Sequence, residues 1–452
     1  MSYTMKYSSD GRLQIGDIAC DCGSVHNEPK QDIYVGCGIV ENVAAYINRQ
    51  QLGQRCVLVA DNVTWEIAGS HVNELLCAAG FDVTLCVIQR EGRMEPDETA
   101  IGEVAMSLKP DTQFLVSVGS GAITDITRMI ATRVCLPQVC IGTAPSMDGY
   151  TSSICPLTFR GVKVHRQGKC PEIILCDIDI LKTAPMEMVC SGVGDVLGKY
   201  IAIADWKIGK VINDEVYCDV CGQIVMDAVN KLLTNLEEIR SRSTKGIQLL
   251  TEALLLSGMT IMIIGHTRAV ASVEHNVAHY WEMMQLLHGK VPPSHGASVG
   301  VATLLVLPVF KAFAGEDLSR LDLDSIKKTR LERGERVQWM YRAFEKTAAE
   351  SIMAENEGDF LSWEEQKRRI LRAQARFAEL KAIIEELPDC ATIENAMRFL
   401  GCQMTPAECG VDEDLLNLSM RCAKDYRTRY TLFKLISECG LEEKYLGQYT
   451  LK

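Results

Sequence analysis

Five of the eight histidines in this 452-residue chain fall in one window: His266, His275, His279, His288 and His295. Imidazole is scarce and is the commonest metal ligand, so the clustering points to a bound cation. In "VEHNVAHYWEM", His275 and His279 stand four apart and share a helix face. The resemblance to a zinc-protease helix stops there, because Asn276 stands where HExxH has its general base. "PPSHGASVG" presents His295 after two prolines at the start of a helix, and "SGVGDVLGKY" sets Asp195 among Gly192, Gly194 and Gly198, where a substrate could come close. One carboxylate with two neutral imidazoles would leave a divalent ion net positive with open positions, able to polarise a carbonyl oxygen. On residue types alone, a capping aspartate and two hydrogen-bonded core histidines fit these positions equally well.

A second stretch, "LVSVGSGAITDITRMIA" (115–131), puts an apolar run before Gly119, Ser120 and Gly121, then a helical segment carrying Asp125. Glycines let the backbone turn tightly, and the N–H groups that open the helix can bind phosphate oxygens. A plain strand-end turn is the competing reading, since the third glycine of a strict dinucleotide fingerprint is missing. Asp61 ends the earlier run "VLVAD", where a carboxylate can accept from a ribose diol; it would repel a 2′-phosphate and so favours NADH over NADPH.

These residues need a scaffold. From about 30 to 180, β-rich runs ("DIYVGCG", "RCVLVAD", "FDVTLCVI", "FLVSVGS", "QVCIGT", "EIILCDI") alternate with amphipathic segments such as Thr64–Ala79. Alternation of this kind predicts a mainly parallel sheet covered by helices. Ligands bind such sheets at the carboxyl ends of strands, where Asp61, Gly119 and Thr143 fall. After "LKTAPMEMV" at 181–189 helical periodicity takes over. The expected organisation is an α/β nucleotide-binding domain over 1–185 and an all-α metal- and substrate-binding domain over 186–452, with a charge-rich stretch at 316–390.

The formal charge of −12 and the absence of a Lys/Arg block argue against nucleic acid as a partner. The run "LLLSGMTIMIIG" is too short for a membrane span, and the N-terminus lacks the apolar core of a signal peptide, so a soluble, cytoplasmic protein is expected. Most of the 19 cysteines sit in apolar runs and read as small buried hydrophobes. Cys20/Cys22 in "ACDC" and Cys218/Cys221 in "YCDVCG" could each supply half of a zinc site or a redox pair.

Together, "GSGAITDITR", "GTAPSMDGYTSS", "SGVGDVLGKYIAIADWK", "SVEHNVAHYWEM" and "SHGASVGVAT" resemble the sn-glycerol-1-phosphate dehydrogenases, of the iron-containing alcohol dehydrogenase and dehydroquinate synthase-like superfamily. The likeness runs in order through roughly 30–310, closer to the bacterial than the archaeal branch, with an echo at "YRTRYTLFKLI". It implies NAD or NADP at the Gly119–Asp125 turn and one divalent ion, zinc or nickel, on Asp195, His275 and His295. It also implies that Thr143, Ser146, Asp148, Ser152 and Lys163 line the cleft between cofactor and substrate. The chain departs from the pattern at "TRAVASVEH", which lacks the usual proline and glycine, and at Ala297.

The reaction that follows is reversible reduction of dihydroxyacetone phosphate to sn-glycerol 1-phosphate, with Lys199 and Arg268 as cations for the substrate phosphate. Asp148 would orient a hydroxyl or water, and His279 would relay a proton. A homo-oligomer is the expected assembly. The competing readings are a glycerol or other polyol dehydrogenase, a dehydroquinate synthase-like cyclase and, outside the enzymes, a nucleotide-binding sensor.

Overall fold

The computed structural model describes residues 2–27, 29–160, 162–356, 360–447 and 449. The chain forms two compact units, one comprising the chain up to Val196 with Asp219–His266, the other Leu197–Cys218 with Thr267 onward.

The first unit is built on strands β1 (Ser2–Tyr7), β2 (Arg12–Ala19), β3 (Asp32–Gly36), β4 (Arg55–Asp61), β5 (Asp82–Ile88), β6 (Phe114–Gly119), β7 (Gln138–Gly142), β8 (Ile154–Phe159), β9 (Val162–Gln167) and β10 (Ile173–Asp177). Eight of them form one sheet in the order β1-β2-β3-β10-β7-β6-β4-β5, while β8 and β9 pair as a separate hairpin. From β3 to β5 all neighbours are parallel; β1 and β2 run antiparallel at one edge. The six parallel strands are those expected from the apolar runs, and the fold class stands.

Alternate side chains of the central strands enter opposite faces, as the period of two requires. Leu58 and Val116 pack with Val43, Ile47, Val72 and Leu76 of helices α1 (Val43–Arg49) and α3 (Ser70–Ala78), which α2 (Asn62–Thr64) precedes. Val57, Val59 and Leu115 pack on the other face with Ala100 and Val104 of α4 (Glu98–Ser107) and Ile123, Ile126 and Ile130 of α5 (Gly121–Arg133). Both faces of the sheet are thereby covered, which explains the unbroken apolar runs.

After α6 (Ile178–Leu181) comes α7 (Met186–Asn213), which starts in the first unit and ends in the second. Helices α8 (Asp219–Leu233), α9 (Leu236–Arg240) and α10 (Thr244–Ile264) belong with the first unit, so the compact units do not divide at 185 as the sequence suggested. The reason is visible in the packing: Tyr3 on β1 donates to Asp227 on α8 at 2.9 Å, and Tyr7 donates to Glu252 on α10 at 2.7 Å. These bonds tie the edge hairpin, unanticipated because its strands are half exposed, to helices far along the chain. The run "LLLSGMTIMIIG" is part of a 21-residue helix that is long and apolar enough to cross a membrane, but 83% of its apolar window is buried within the protein.

The second unit is helical, with α11 (Val273–Leu287) and α12 (His295–Phe313) followed by further helices as far as Glu442–Leu446. Trp206, Trp281, Phe310, Phe313, Phe344 and Phe433 are among its largest fully buried side chains. The charge-rich stretch is helical, with Glu365 bonded to Arg368 at 2.7 Å and Arg376 paired with Glu379.

Candidate functional site

In the first unit Asp61, Gly119 and Thr143 stand at the carboxyl ends of the parallel strands β4, β6 and β7, while Ser152 and Lys163 belong to the β8–β9 hairpin and the turn before it. Gly119 closes β6, and a Cβ there would come within 2.6 Å of Ile123, so only glycine lets α5 turn back this tightly. Ser120 is the N-cap of α5 but does not cap it through its side chain; its hydroxyl pairs with that of Ser146 at 2.7 Å. The opening amides of a 13-residue helix thus meet the turn, an arrangement suited to an anion. Thr143 follows β7 and its N–H donates to the Gly119 carbonyl at 3.2 Å. Ser152 accepts from the Ile154 N–H, and Lys163 lies on β9 opposite Thr158.

Two of these residues have duties the sequence did not suggest. Asp61 caps α2, with Oδ1 accepting from the N–H groups of Val63 and Thr64 at 2.9 and 2.7 Å. Asp125 pairs with the fully buried Arg128 at 2.7 Å, and Arg128 also donates to the carbonyls of Gly149, Tyr150 and Ile154. Burial raises the Asp125 carboxyl, and Arg128 and Lys163 oppose the rise. Beside the cofactor role expected of it, Asp125 thus engages the arginine that holds the 149–154 loop.

That loop is pinned from both sides. Asp195 on α7 is fully buried and accepts from the Asp148 N–H at 3.0 Å. Ser191, one turn earlier, donates to the Ser146 carbonyl at 2.9 Å. Gly192 lies where a Cβ would overlap the Pro145 carbonyl oxygen, so α7 and the 145–148 segment meet backbone to backbone.

In the second unit the imidazoles converge. The rings of His275 and His295 are 5.3 Å apart, and those of His279 and His295 stack at 5.0 Å. His275 donates through Nδ1 to Glu274 at 2.7 Å, and His295 through Nδ1 to Glu282 at 2.9 Å. Both carboxylates are buried. A carboxylate on Nδ1 fixes the tautomer with Nε2 as the ligating atom, the usual support of a metal-bound histidine, so this donor set suits a divalent ion. Glu274 and Glu282 were missed in the sequence; their signal was an acidic residue beside, and another seven after, His275. His279, Glu282 and His295 also bring donor atoms within 4.8 Å of one another, a competing donor set.

On the second unit's portion of α7, Gly198 makes room for Glu274 and for Val299 on α12; a Cβ there would lie 2.7 Å from Val299 Cγ1. Lys199 is fully buried. Arg268, expected to grip substrate phosphate, instead pairs with Glu215 at 2.7 Å and donates to the carbonyls of Tyr430 and Asp205. Its sequence position near His275 could not reveal that its fork joins three segments of the fold. Arg429 donates to the Ala271 carbonyl and the Thr267 hydroxyl. Burial, with Arg268 and Arg427 nearby, pushes its guanidinium down to about 10.

Residues 34–185 match the iron-containing alcohol dehydrogenase family. A glycerol-1-phosphate dehydrogenase [NAD(P)+] from Halalkalibacterium halodurans is 35% identical over 65% of this chain and 74% of its own length; one from Geobacillus thermodenitrificans is 30% identical over 91% and 94%. The chain belongs to the glycerol-1-phosphate dehydrogenase family. In fold it is similar to sulfoacetaldehyde reductase from Bifidobacterium kashiwanohense, with TM-score 0.61 and 13% identity over 95% of this chain and all of that one. Glycerol dehydrogenase from Schizosaccharomyces pombe gives TM-score 0.59 and 16% identity over 93% and 91%.

Proposed function

We propose that this protein reversibly reduces dihydroxyacetone phosphate to sn-glycerol 1-phosphate, using NADH or NADPH and one divalent ion, zinc or nickel, on Asp195, His275 and His295. The observation that carries the ligand set is helix register. Gly198 packs on Val299 and Glu274. Asp195 lies three residues before Gly198 on the same continuous helix, and His295 four before Val299 on α12, so each stands one turn back on the same face. Glu274 adjoins His275. When bound, the ion polarises the substrate carbonyl and the nicotinamide supplies the hydride.

The chain's own residues do the rest. The amides opening α5 hold the cofactor pyrophosphate, with Ser120 and Ser146 fixing the turn and Thr143, Ser152 and Lys163 flanking it. Asp61, with Oδ1 engaged in capping, reaches the ribose through its other oxygen. Asp195 presents its carboxylate in a fixed rotamer because the Asp148 N–H holds Oδ2. Asp148 orients a substrate hydroxyl, and His279, stacked on His295, passes a proton towards solvent.

Lys199, one turn beyond Asp195, neutralises the substrate phosphate. Arg429 replaces Arg268 as its partner: it donates towards Thr267 and Ala271, and a guanidinium depressed by burial, with two further cations beside it, gains from an incoming dianion. A second reading, an unphosphorylated polyol as substrate, is favoured by the commitment of Arg268 to the fold. The deciding experiment compares dihydroxyacetone phosphate with dihydroxyacetone and glycerol, using either nicotinamide, on protein of measured metal content. The proposal requires preference for the phosphorylated triose, loss of activity on chelation and recovery with added ion. Preference for the plain polyol would transfer the reading to the second one.

A further inference from the structure

Cys20, Cys22 and His26 play no part in the reaction, yet they are gathered. They leave the edge hairpin directly after β2, and their donor atoms lie within 4.8 Å of one another. Cys22 Sγ stands 3.6 Å from His26 Nε2. Zinc bonds of about 2.3 Å to sulfur and about 2.0–2.1 Å to nitrogen, at a tetrahedral angle, place the two ligands about 3.5–3.6 Å apart. The observed separation is that edge.

The loop is fixed at both ends. At one, Ser2 pairs with Ala19 across the hairpin, and Tyr3 beside it donates to Asp227 on α8. At the other, the Asn27 N–H donates to the Ile263 carbonyl at the end of α10 at 3.0 Å. Between these anchors the six residues from Asp21 to His26 have no regular secondary structure, and Val25 is exposed. A loop with so little apolar burial needs another source of order, and a metal clip is one that small or irregular segments use.

We propose that Cys20, Cys22 and His26 bind a structural zinc ion distinct from the ion used in the reaction. Two thiolates and one imidazole form a soft donor set, which selects zinc over magnesium, calcium or manganese. Binding releases the thiol protons and orders the loop that follows β2.

The test uses the full chain, stripped of metal under reducing conditions and titrated with Co²⁺. A thiolate-to-cobalt charge-transfer band in the near ultraviolet is expected, saturating by two equivalents because the reaction's ion site also fills, and bleached by two equivalents of Zn²⁺. Asp195, His275 and His295 include no sulfur, so the band reports this site whether or not the dehydrogenase reading holds. Cys20→Ser/Cys22→Ser should abolish the band, and His26→Gln should keep most of it while weakening zinc binding at least about tenfold. Cys77→Ser, an exposed thiol elsewhere, should change nothing. No band in the parent protein, or an undiminished band in the double variant, overturns the proposal. Should the double variant fail to fold, the parent titration and His26→Gln decide.

Discussion

Replacing Glu282 by glutamine is the sharpest probe of how the imidazoles are held. Glu282 is buried and accepts from His295 Nδ1 at 2.9 Å. Glutamine keeps an oxygen for that bond, so geometry and tautomer survive while the charge that raises the basicity of the ring is lost. Outer carboxylates on ligating histidines contribute about 10–100-fold in affinity, or about 1.4–2.7 kcal/mol. The variant should therefore bind zinc about 10–100-fold more weakly in a competition titration against a chelator of known affinity, with Tm of the stripped protein nearly unchanged. In the competing donor set Glu282 is itself a ligand together with His279, and its loss would exceed that range. His279→Ala separates the two: affinity within about threefold of the parent supports Asp195, His275 and His295. A His279→Ala protein that no longer holds the ion, or a Glu282→Gln protein of parental affinity, would refute the reasoning.

Other consequences can be measured directly. Asp195→Asn should lose most of its metal affinity and turnover, read by metal analysis and by nicotinamide absorbance, because the ligand charge goes while the bond from Asp148 can persist. Gly192→Ala forces a methyl group into the Pro145 carbonyl and should cost at least about 1–3 kcal/mol, seen as a lower denaturant midpoint. Asp205 accepts from Ser272, Val273 and Leu432, yet burial outweighs these bonds and raises its carboxyl to about 7. Below pH about 4 the group is protonated in both folded and unfolded chains; as pH rises to about 7 the unfolded chain ionises first, and up to about 4 kcal/mol of stability is lost. Asp205→Asn should flatten that part of the stability profile, and an unchanged slope in urea titrations would contradict the assignment.

The parallel strands were legible because burial on both faces writes itself as continuous apolar runs, and the helical half because its periodicity is 3.6. The edge hairpin was not, since its strands face solvent on one side and carry residues such as Lys6 and Gln14. Nor was the unit boundary: α10 is sequentially in the helical half, and its bonds to β1, to the Asn27 N–H and to the Thr151 hydroxyl, which donates to Leu255, assign it to the sheet. At the site, rare residue types made the histidines conspicuous. Arg268, a cation near a metal-ligand motif, looks available from sequence, whereas its partners, Glu215 and the carbonyls of Asp205 and Tyr430, lie on segments that no motif connects.

The thiols embedded in the strands have a practical corollary. Cys56, Cys140 and Cys176 are enclosed by the sheet, and burial pushes their ionisation upward, to about 12 for Cys56. Cys77 and Cys135 stand on the outside. Alkylating reagents should thus meet a fast class and a slow class, and the moment at which the slow class reacts marks the opening of the sheet. The protein carries its own clock for unfolding.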